Sequence, residues 1–227
     1  MLPTFKNFYN NTLKTLKESV DYRELPTFKD PNTIYNHITI ENGEKVIKGS
    51  IDFSDQQLTE LPDLSDVKVF GVFLCYDNQL QTLEGAPKYV GGRFSCGRNK
   101  LQTLEGAPKY VGRNFDCSSN QLQTLEGAPE RVGGDFSCEQ NSQLTTLKGL
   151  PRFIGGNLCW CSTKVTMEDF YENLLLSDVK GNPMAQDEDE GVLLGEYPEE
   201  PMSREDAYST AKAYGLYNTP SEYTIDF

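Results

Sequence analysis

Cysteines are the residues of this chain that could support the widest range of chemistry, and their spacing is regular. Cys159 and Cys161 form a Cys-x-Cys pair, and four others recur at intervals of 21 residues: Cys75, Cys96, Cys117 and Cys138. A metal ion needs ligands that converge from several directions, and a disulfide needs a specific Cβ geometry. Residues that occur once per repeat are stacked in parallel and meet neither requirement. We therefore expect four buried, reduced thiols, as a reducing cytoplasm would allow.

Other catalytic chemistry finds little support in the sequence. Cys159 and Cys161 should face outward and could be redox-active or metal-binding, although no partner cysteine pair is present. His37 is the single histidine, so a site with several histidine ligands cannot be built. The chain contains no Gly-rich phosphate loop and no nucleophile elbow. We expect a protein that is not an enzyme and that needs no cofactor and no metal.

An internal repeat organises the middle of the chain. The segment Thr-Leu-Glu-Gly-Ala-Pro occurs verbatim at 82–87, 103–108 and 124–129. Asparagines keep the same period of 21 residues: Asn78, Asn99, Asn120 and Asn141. The fourth copy has one extra residue after its asparagine, and degenerate copies lie at both ends. A fixed period of 20–30 residues is the signature of a solenoid.

One repeat reads Gly91-x-x-Phe94-x-Cys96-x-x-Asn99-x-Leu101-x-x-Leu104. This motif resembles the leucine-rich-repeat family over roughly residues 46–162. The amino-acid sequence of the repeats is similar to that of proteins encoded by large tailed bacteriophages. The resemblance implies an α/β-type leucine-rich-repeat solenoid, in which short parallel strands stack with a 21-residue period between helical N- and C-terminal caps.

The repeat also predicts the interior of each coil. Phe94 and Cys96 are two residues apart and share one face of a strand, whereas Ser95 points to the other face. We expect columns of stacked phenylalanines and cysteines, with Trp160 continuing the cysteine column. The asparagines should form a ladder that binds backbone groups. Gly-Gly pairs permit positive φ or close chain approach, and Gly-Ala-Pro marks a return bend.

The strand face opposite the core is the expected binding surface, because solenoids use such extended faces. A protein is the expected partner, and the candidate residues vary from coil to coil: Val72, Leu74, Tyr76, Asp77, Arg93, Ser95, Arg98, Asn114, Asp116, Asp135 and Glu139. This variation could also reflect drift on a solvated surface. If the assignment is right, Arg93→Glu with Arg98→Glu should abolish partner capture without changing the melting temperature. Cys96→Asp should disrupt folding.

The flanks divide the chain into three predicted parts. Residues 1–45 should form an N-terminal helical cap, 46–162 the solenoid, and 163–227 an acidic C-terminal helical cap and tail. Apolar residues at helical spacing support the first of these: Leu2, Phe5, Tyr9, Leu13 and Leu16. The N-terminus also resembles the capsid-targeting segments of phage head proteins, and residues 16–18 (Leu-Lys-Glu) resemble their processing site. Thr166 and Asp169 resemble a helix capping box.

Charge excludes further function classes. The net charge is −13, and residues 165–227 carry −12 of it, which argues against direct binding to nucleic-acid phosphates. The sequence shows no candidate for a membrane span. We expect a non-catalytic module that binds a host or defence protein in the host bacterial cytoplasm. The alternatives are a virion-packaged phage protein in the virion interior, and an acidic tail that mimics nucleic acid. The oligomeric state stays open.

Overall fold

A computed structural model describes residues 24–174, 177–180 and 183–184. The chain winds into a parallel β-solenoid of about six turns with a period of about 21 residues, which confirms the predicted stack of short parallel strands. Each coil contributes one short strand to each of two sheets, which lie on opposite sides of one hydrophobic core.

The first sheet contains eight strands, all paired in parallel, and its central strands begin with the repeated phenylalanine. Their bounds are β1 (Thr27–Phe28), β4 (Ser50–Asp52), β6 (Phe73–Leu74), β8 (Phe94–Ser95), β10 (Phe115–Asp116), β12 (Phe136–Ser137), β14 (Leu158–Cys159) and β16 (Pro183–Met184).

The second sheet lies on the return side of each coil, where the described repeats form strands and no helix. The predicted α/β character is therefore not confirmed. The bounds of the strands are β2 (Thr39–Glu41), β3 (Glu44–Ile47), β5 (Val67–Val69), β7 (Tyr89–Val90), β9 (Tyr110–Val111), β11 (Arg131–Val132), β13 (Phe153–Ile154) and β15 (Asp178–Val179). Only β2 and β3 pair in an antiparallel manner, so a hairpin forms the N-terminal edge of this sheet.

Glycines allow the coils to stack closely and to turn. A Cβ built on Gly112 would lie closer than 3.0 Å to the carbonyl oxygen of Gly91 in the preceding coil, and the same holds between Gly133 and Gly112. Close approach, and not positive φ, therefore requires glycine after the second-sheet strand. Positive φ is needed instead at the return bend, where Gly106 and Gly127 both have φ of 88°.

The interior confirms the predicted columns. Phe73, Phe94, Phe115 and Phe136 are fully buried, and successive rings stack with centroids 5.2–5.4 Å apart. The four repeated cysteines are buried beside them as free thiols. Trp160 is 3% exposed and continues the cysteine column. Val90, Val111, Val132 and Ile154 close the core from the second sheet.

The asparagine ladder is also confirmed. Asn120 Oδ1 accepts a hydrogen bond from the Leu101 N–H at 3.0 Å. Its Nδ2 donates to the carbonyl oxygens of Cys96 and Cys117, both at 3.1 Å, and of Ser118 at 3.2 Å. Asn99 and Asn141 repeat this pattern in their own coils. One side chain thus satisfies backbone groups of two adjacent coils, and no buried side-chain N or O atom lacks a partner in the described ranges.

The ends of the solenoid differ from the predicted helical caps, which are not confirmed. Residues 24–45 contain a 3-10 turn (Ile34–His37) and strands β1 and β2, while residues 1–23 lie outside the described residues. The sheets also continue past the predicted boundaries at 46 and 162, through β1 and β16. At the C-terminal end, α1 (Met167–Leu174) packs Phe170 on Trp160, with ring centroids 4.3 Å apart.

No helix in the described parts of the chain has the length and hydrophobicity needed to cross a bilayer. The proposed processing site at residues 16–18, and most of the acidic tail, fall outside the described residues.

Candidate binding face

We call the outward residues of the first sheet, with the residue before each strand and the turn residues after it, the front face. It holds all eleven side chains predicted to contact a partner, and the fold brings them onto one side of the solenoid. Tyr76, Arg93, Arg98 and Asn114 are exposed, and most of the others are partly buried. The side chains that project most are thus aromatic, basic and amide groups.

Ser95 departs from its prediction. It is only 1% exposed, whereas a residue that contacts a partner directly is expected to be accessible. Its Oγ donates to Asp116 Oδ2 at 2.9 Å, and Arg93 Nη2 binds the same oxygen at 2.8 Å. The neighbouring coil and the arginine above it therefore cover Ser95. A small hydroxyl suits this position because it fits beneath the guanidinium and satisfies the carboxylate.

Asp116 accepts the hydrogen bonds that hold this cluster together. Its Oδ1 accepts hydrogen bonds from the Ser118 N–H at 3.1 Å and the Ser118 Oγ at 2.6 Å. Burial opposes ionisation of Asp116, but the hydrogen bonds from Ser118, Ser95 and Arg93 outweigh it and lower the pKa of this carboxyl from its ordinary value. Arg93→Glu would place two carboxylates together here. The sequence-based expectation that this reversal leaves stability unchanged therefore does not hold for Arg93.

Hydrogen bonds between amide and carboxylate groups connect the next coils in the same way. Asn114 Nδ2 donates to Asp135 Oδ2 at 2.9 Å, and the Asp135 N–H donates to Asn114 Oδ1 at 3.2 Å. Asp135 Oδ1 then accepts the Asn157 N–H at 2.8 Å. These residues link three successive coils. Their polar groups are directed along the stack as well as outward, so they contribute to stability and to any recognition surface.

The N-terminal end of the front face is more apolar. Tyr76 is 37% exposed, and Val72 and Leu74 are partly buried beside it. Asp77 and Arg98 occupy matching turn positions with φ of 53°, and their side chains pair at 3.5 Å. The Arg98 side chain is 71% exposed. An exposed pair of this kind contributes little to stability, so Arg98 can be altered with little effect on the fold.

The Cys-x-Cys pair lies at the C-terminal end of the front face. The Cys161 thiol donates to Glu139 Oε1 at 3.0 Å. Burial, followed by the charge of Glu139, raises the pKa of Cys159 to about 11. A raised pKa disfavours the thiolate that nucleophilic and metal-binding chemistry requires. Within the described residues, no cluster of three or more His, Cys, Asp or Glu side chains could hold a metal ion.

Thiol reactivity should follow this burial pattern. Burial also raises the pKa of Cys75, Cys96, Cys117 and Cys138 far above the usual thiol value. We expect iodoacetamide at pH 8 to modify only Cys159 and Cys161 in the folded protein, and Cys159 slowly, because attack needs a thiolate and the pKa of Cys159 is raised. Peptide mass spectrometry would measure this, and the same reaction in denaturant should label all six. Rapid native labelling of Cys96 would contradict the buried column.

The second sheet carries a surface that sequence reasoning missed. Its outward residues form one column, defined here as the rear column: Lys68, Tyr89, Tyr110, Arg131 and Phe153. The two tyrosine rings stack at 5.0 Å, and the Arg131 guanidinium lies 3.5 Å from the centre of the Phe153 ring. The available signal was the recurrence, every 21 or 22 residues, of a large side chain before the buried Val or Ile.

Comparison with known proteins adds no homologue to these observations. No family model matches the chain, and no curated protein or solved structure matches it at the significance applied.

Proposed function

We propose that this protein is a non-catalytic module that binds another protein through its front face. The observation that carries the proposal is the contrast between the interior and the front face. The Phe, Cys and Asn columns repeat from coil to coil, whereas the outward positions change from Val72 and Arg93 to Asn114 and Asp135. A surface that varies over a constant scaffold is what selective recognition by a solenoid requires.

The N-terminal third of the front face has the composition of an interface centre. Tyr76 offers a large amphipathic side chain, and Arg98 offers an exposed planar cation. Tyrosine and arginine are enriched among the residues that dominate binding energies. Val72 and Leu74 extend the apolar area beside Tyr76. We therefore infer that this third contains the main anchor, while the carboxylates of the later coils contribute selectivity.

The leucine-rich-repeat identity belongs to the same proposal. It is supported by the repeat motif, by leucines buried at the motif positions, such as Leu101 and Leu104, and by the asparagine ladder. The repeat sequence is similar to that of phage-encoded proteins. We therefore propose a host or defence protein of a bacterial cell as the partner.

Quantitative affinity capture from bacterial lysate tests the proposal. The full chain would be immobilised as wild type and as the Tyr76→Ala/Arg98→Glu variant. We expect at least one protein to be retained by the wild type and lost, by tenfold or more, from the variant. Binding of that protein, once purified, should show the same loss. Arg93 is left intact because it stabilises Asp116.

Lys88→Glu provides the matched control. It makes the same charge change at an exposed residue next to the second sheet, so it should retain the partner. Thermal unfolding should be similar for all three proteins, since Tyr76, Arg98 and Lys88 are all exposed. Equal capture by wild type and by the front-face variant, or loss of the partner only with Lys88→Glu, would refute recognition by the front face.

A further inference from the structure

The outer side of the second sheet forms a cationic and aromatic surface. The rear column alternates with the buried Val69, Val90, Val111, Val132 and Ile154, so its side chains point away from the core. Lys68 Nζ lies 6.0 Å from the centre of the Tyr89 ring, which stacks on Tyr110. Arg131 and Phe153 continue the column. The column thus combines two cationic side chains with three aromatic rings.

Further basic side chains border the rear column. Lys88 and Lys109 precede the two tyrosines, Arg152 precedes Phe153, and all three are exposed. Three acidic residues lie beside them: Glu130 precedes Arg131, Asp178 is the register partner of Phe153 on the adjacent strand, and Glu44 pairs with Lys68 at 2.5 Å. Counted together, the rear column and its border hold five basic and three acidic residues, so this surface is locally basic although the whole chain carries a net charge of −13.

Two rear-column residues are almost inaccessible to solvent. Tyr89 is 7% exposed, and the Lys68 side chain is 8% exposed. Stacking on adjacent coils covers the faces of the Tyr89 ring but not its outer edge. The ion pair of Lys68 with Glu44 and the stacking of Tyr89 on Tyr110 account for part of this burial.

We propose that the acidic C-terminal segment of this chain, residues 185–227, binds along the rear column. This segment carries eleven acidic and two basic side chains and six aromatic ones. Its carboxylates complement Arg131 and the bordering lysines, and its tyrosines complement the ring faces and guanidinium. The N-terminal segment 1–23 carries four basic and two acidic side chains, so its charge does not complement this surface.

The geometry of the fold permits this contact. Residue 184 ends β16 in the last coil. The rear column crosses four strand spacings, which is about 20 Å at ~4.8 Å per spacing. A segment of 43 residues can extend several times that distance at ~3.3 Å per residue. The acidic segment can therefore cover the column while the front face remains open to a partner.

Carbodiimide coupling of the wild-type full chain tests the proposal without any substitution. The reagent joins a lysine amine to a carboxylate that is already in contact with it. We expect peptide mass spectrometry to find Lys88 and Lys109 joined to acidic residues of 187–206. Lys100 is the internal control, because it is exposed and lies about half a coil away along the chain; it should give few such products. Mixing isotope-labelled and unlabelled protein separates links within one molecule from links between two.

Salt and charge reversal complete the test. One molar NaCl should reduce the coupling several-fold, because exposed ion pairs are screened. Arg131→Glu should also reduce it several-fold, whereas the matched variant Arg98→Glu on the front face should leave it unchanged. The proposal is overturned if the lysines couple to residues 1–23, if the links form only between molecules, if Lys100 couples equally well, or if no link to the tail forms.

Discussion

Replacing Gly112 with alanine is expected to lower the free energy of unfolding by about 3 kcal/mol or more. The added methyl group would lie within 3.0 Å of the Gly91 carbonyl, which is backbone and cannot rotate away. The Gly112 N–H also binds the Val90 carbonyl of that coil at 2.8 Å. To accept the methyl group, two coils must separate, which weakens the backbone hydrogen bonds and the ring stacking between them. Urea unfolding followed by circular dichroism would measure the loss.

Gly97→Ala is the matched control. A Cβ at Gly97 would meet the Ser118 Oγ at 3.2 Å and its carbonyl oxygen at 3.3 Å, so a shift of a few tenths of an ångström accommodates it. We expect a cost below about 1 kcal/mol. Similar effects at Gly112 and Gly97 would mean that close backbone approach is not what requires glycine between coils.

Asn120→Ala should have the second large effect. The substitution removes the acceptor for the Leu101 N–H and the donor for the Cys96, Cys117 and Ser118 carbonyls. A buried polar group left without a partner costs about 1–3 kcal/mol, so we expect a total loss of about 4 kcal/mol. Gln121→Ala, at an exposed neighbouring residue, should change stability by less than about 0.5 kcal/mol. Urea unfolding of both variants distinguishes a ladder from a solvated turn.

The Asn120→Asp variant provides a second test of the ladder, because its stability should depend on pH. The aspartate keeps an acceptor oxygen, but when ionised it faces carbonyl oxygens in a buried site, so its pKa should be raised in the folded state. Its stability should therefore be greatest below the ordinary Asp pKa and decrease as the pH rises through the raised value. We expect the deficit relative to wild type to be larger at pH 7 than at pH 4. A deficit independent of pH would contradict a closed ladder.

Sequence reasoning succeeded where one residue type recurs with one physical role. Few other residue types fit the buried positions of Phe94 and Cys96. The same residues therefore recur every 21 positions, and this recurrence identifies them as core residues. Asn99 recurs because few other side chains present an acceptor and two donors with this reach. The bend at Gly106 was predictable for the same reason, since positive φ favours glycine.

The second sheet escaped prediction because most of its strands are only two residues long. The pair Tyr89–Val90 gives a single alternation, which is too short for a strand pattern to be recognised. The return side was therefore assigned from the family resemblance. Ser95 was misplaced for another reason. The alternation correctly directs it outward, but only the packed coils show that Arg93 and Asp116 cover it.

The equivalence of the coils has a consequence for how this protein can change by descent. Each coil contacts mainly its two neighbours, and the verbatim Thr-Leu-Glu-Gly-Ala-Pro segments give several coils the same boundary. Deleting or duplicating 21 residues between two such boundaries would restore the phenylalanine stack, the asparagine contacts and the close glycine approaches at the new junction. A change of any other length would shift these contacts out of register, except where a turn absorbs one residue, as it does after Asn141. The length of the front face can therefore change only by whole coils.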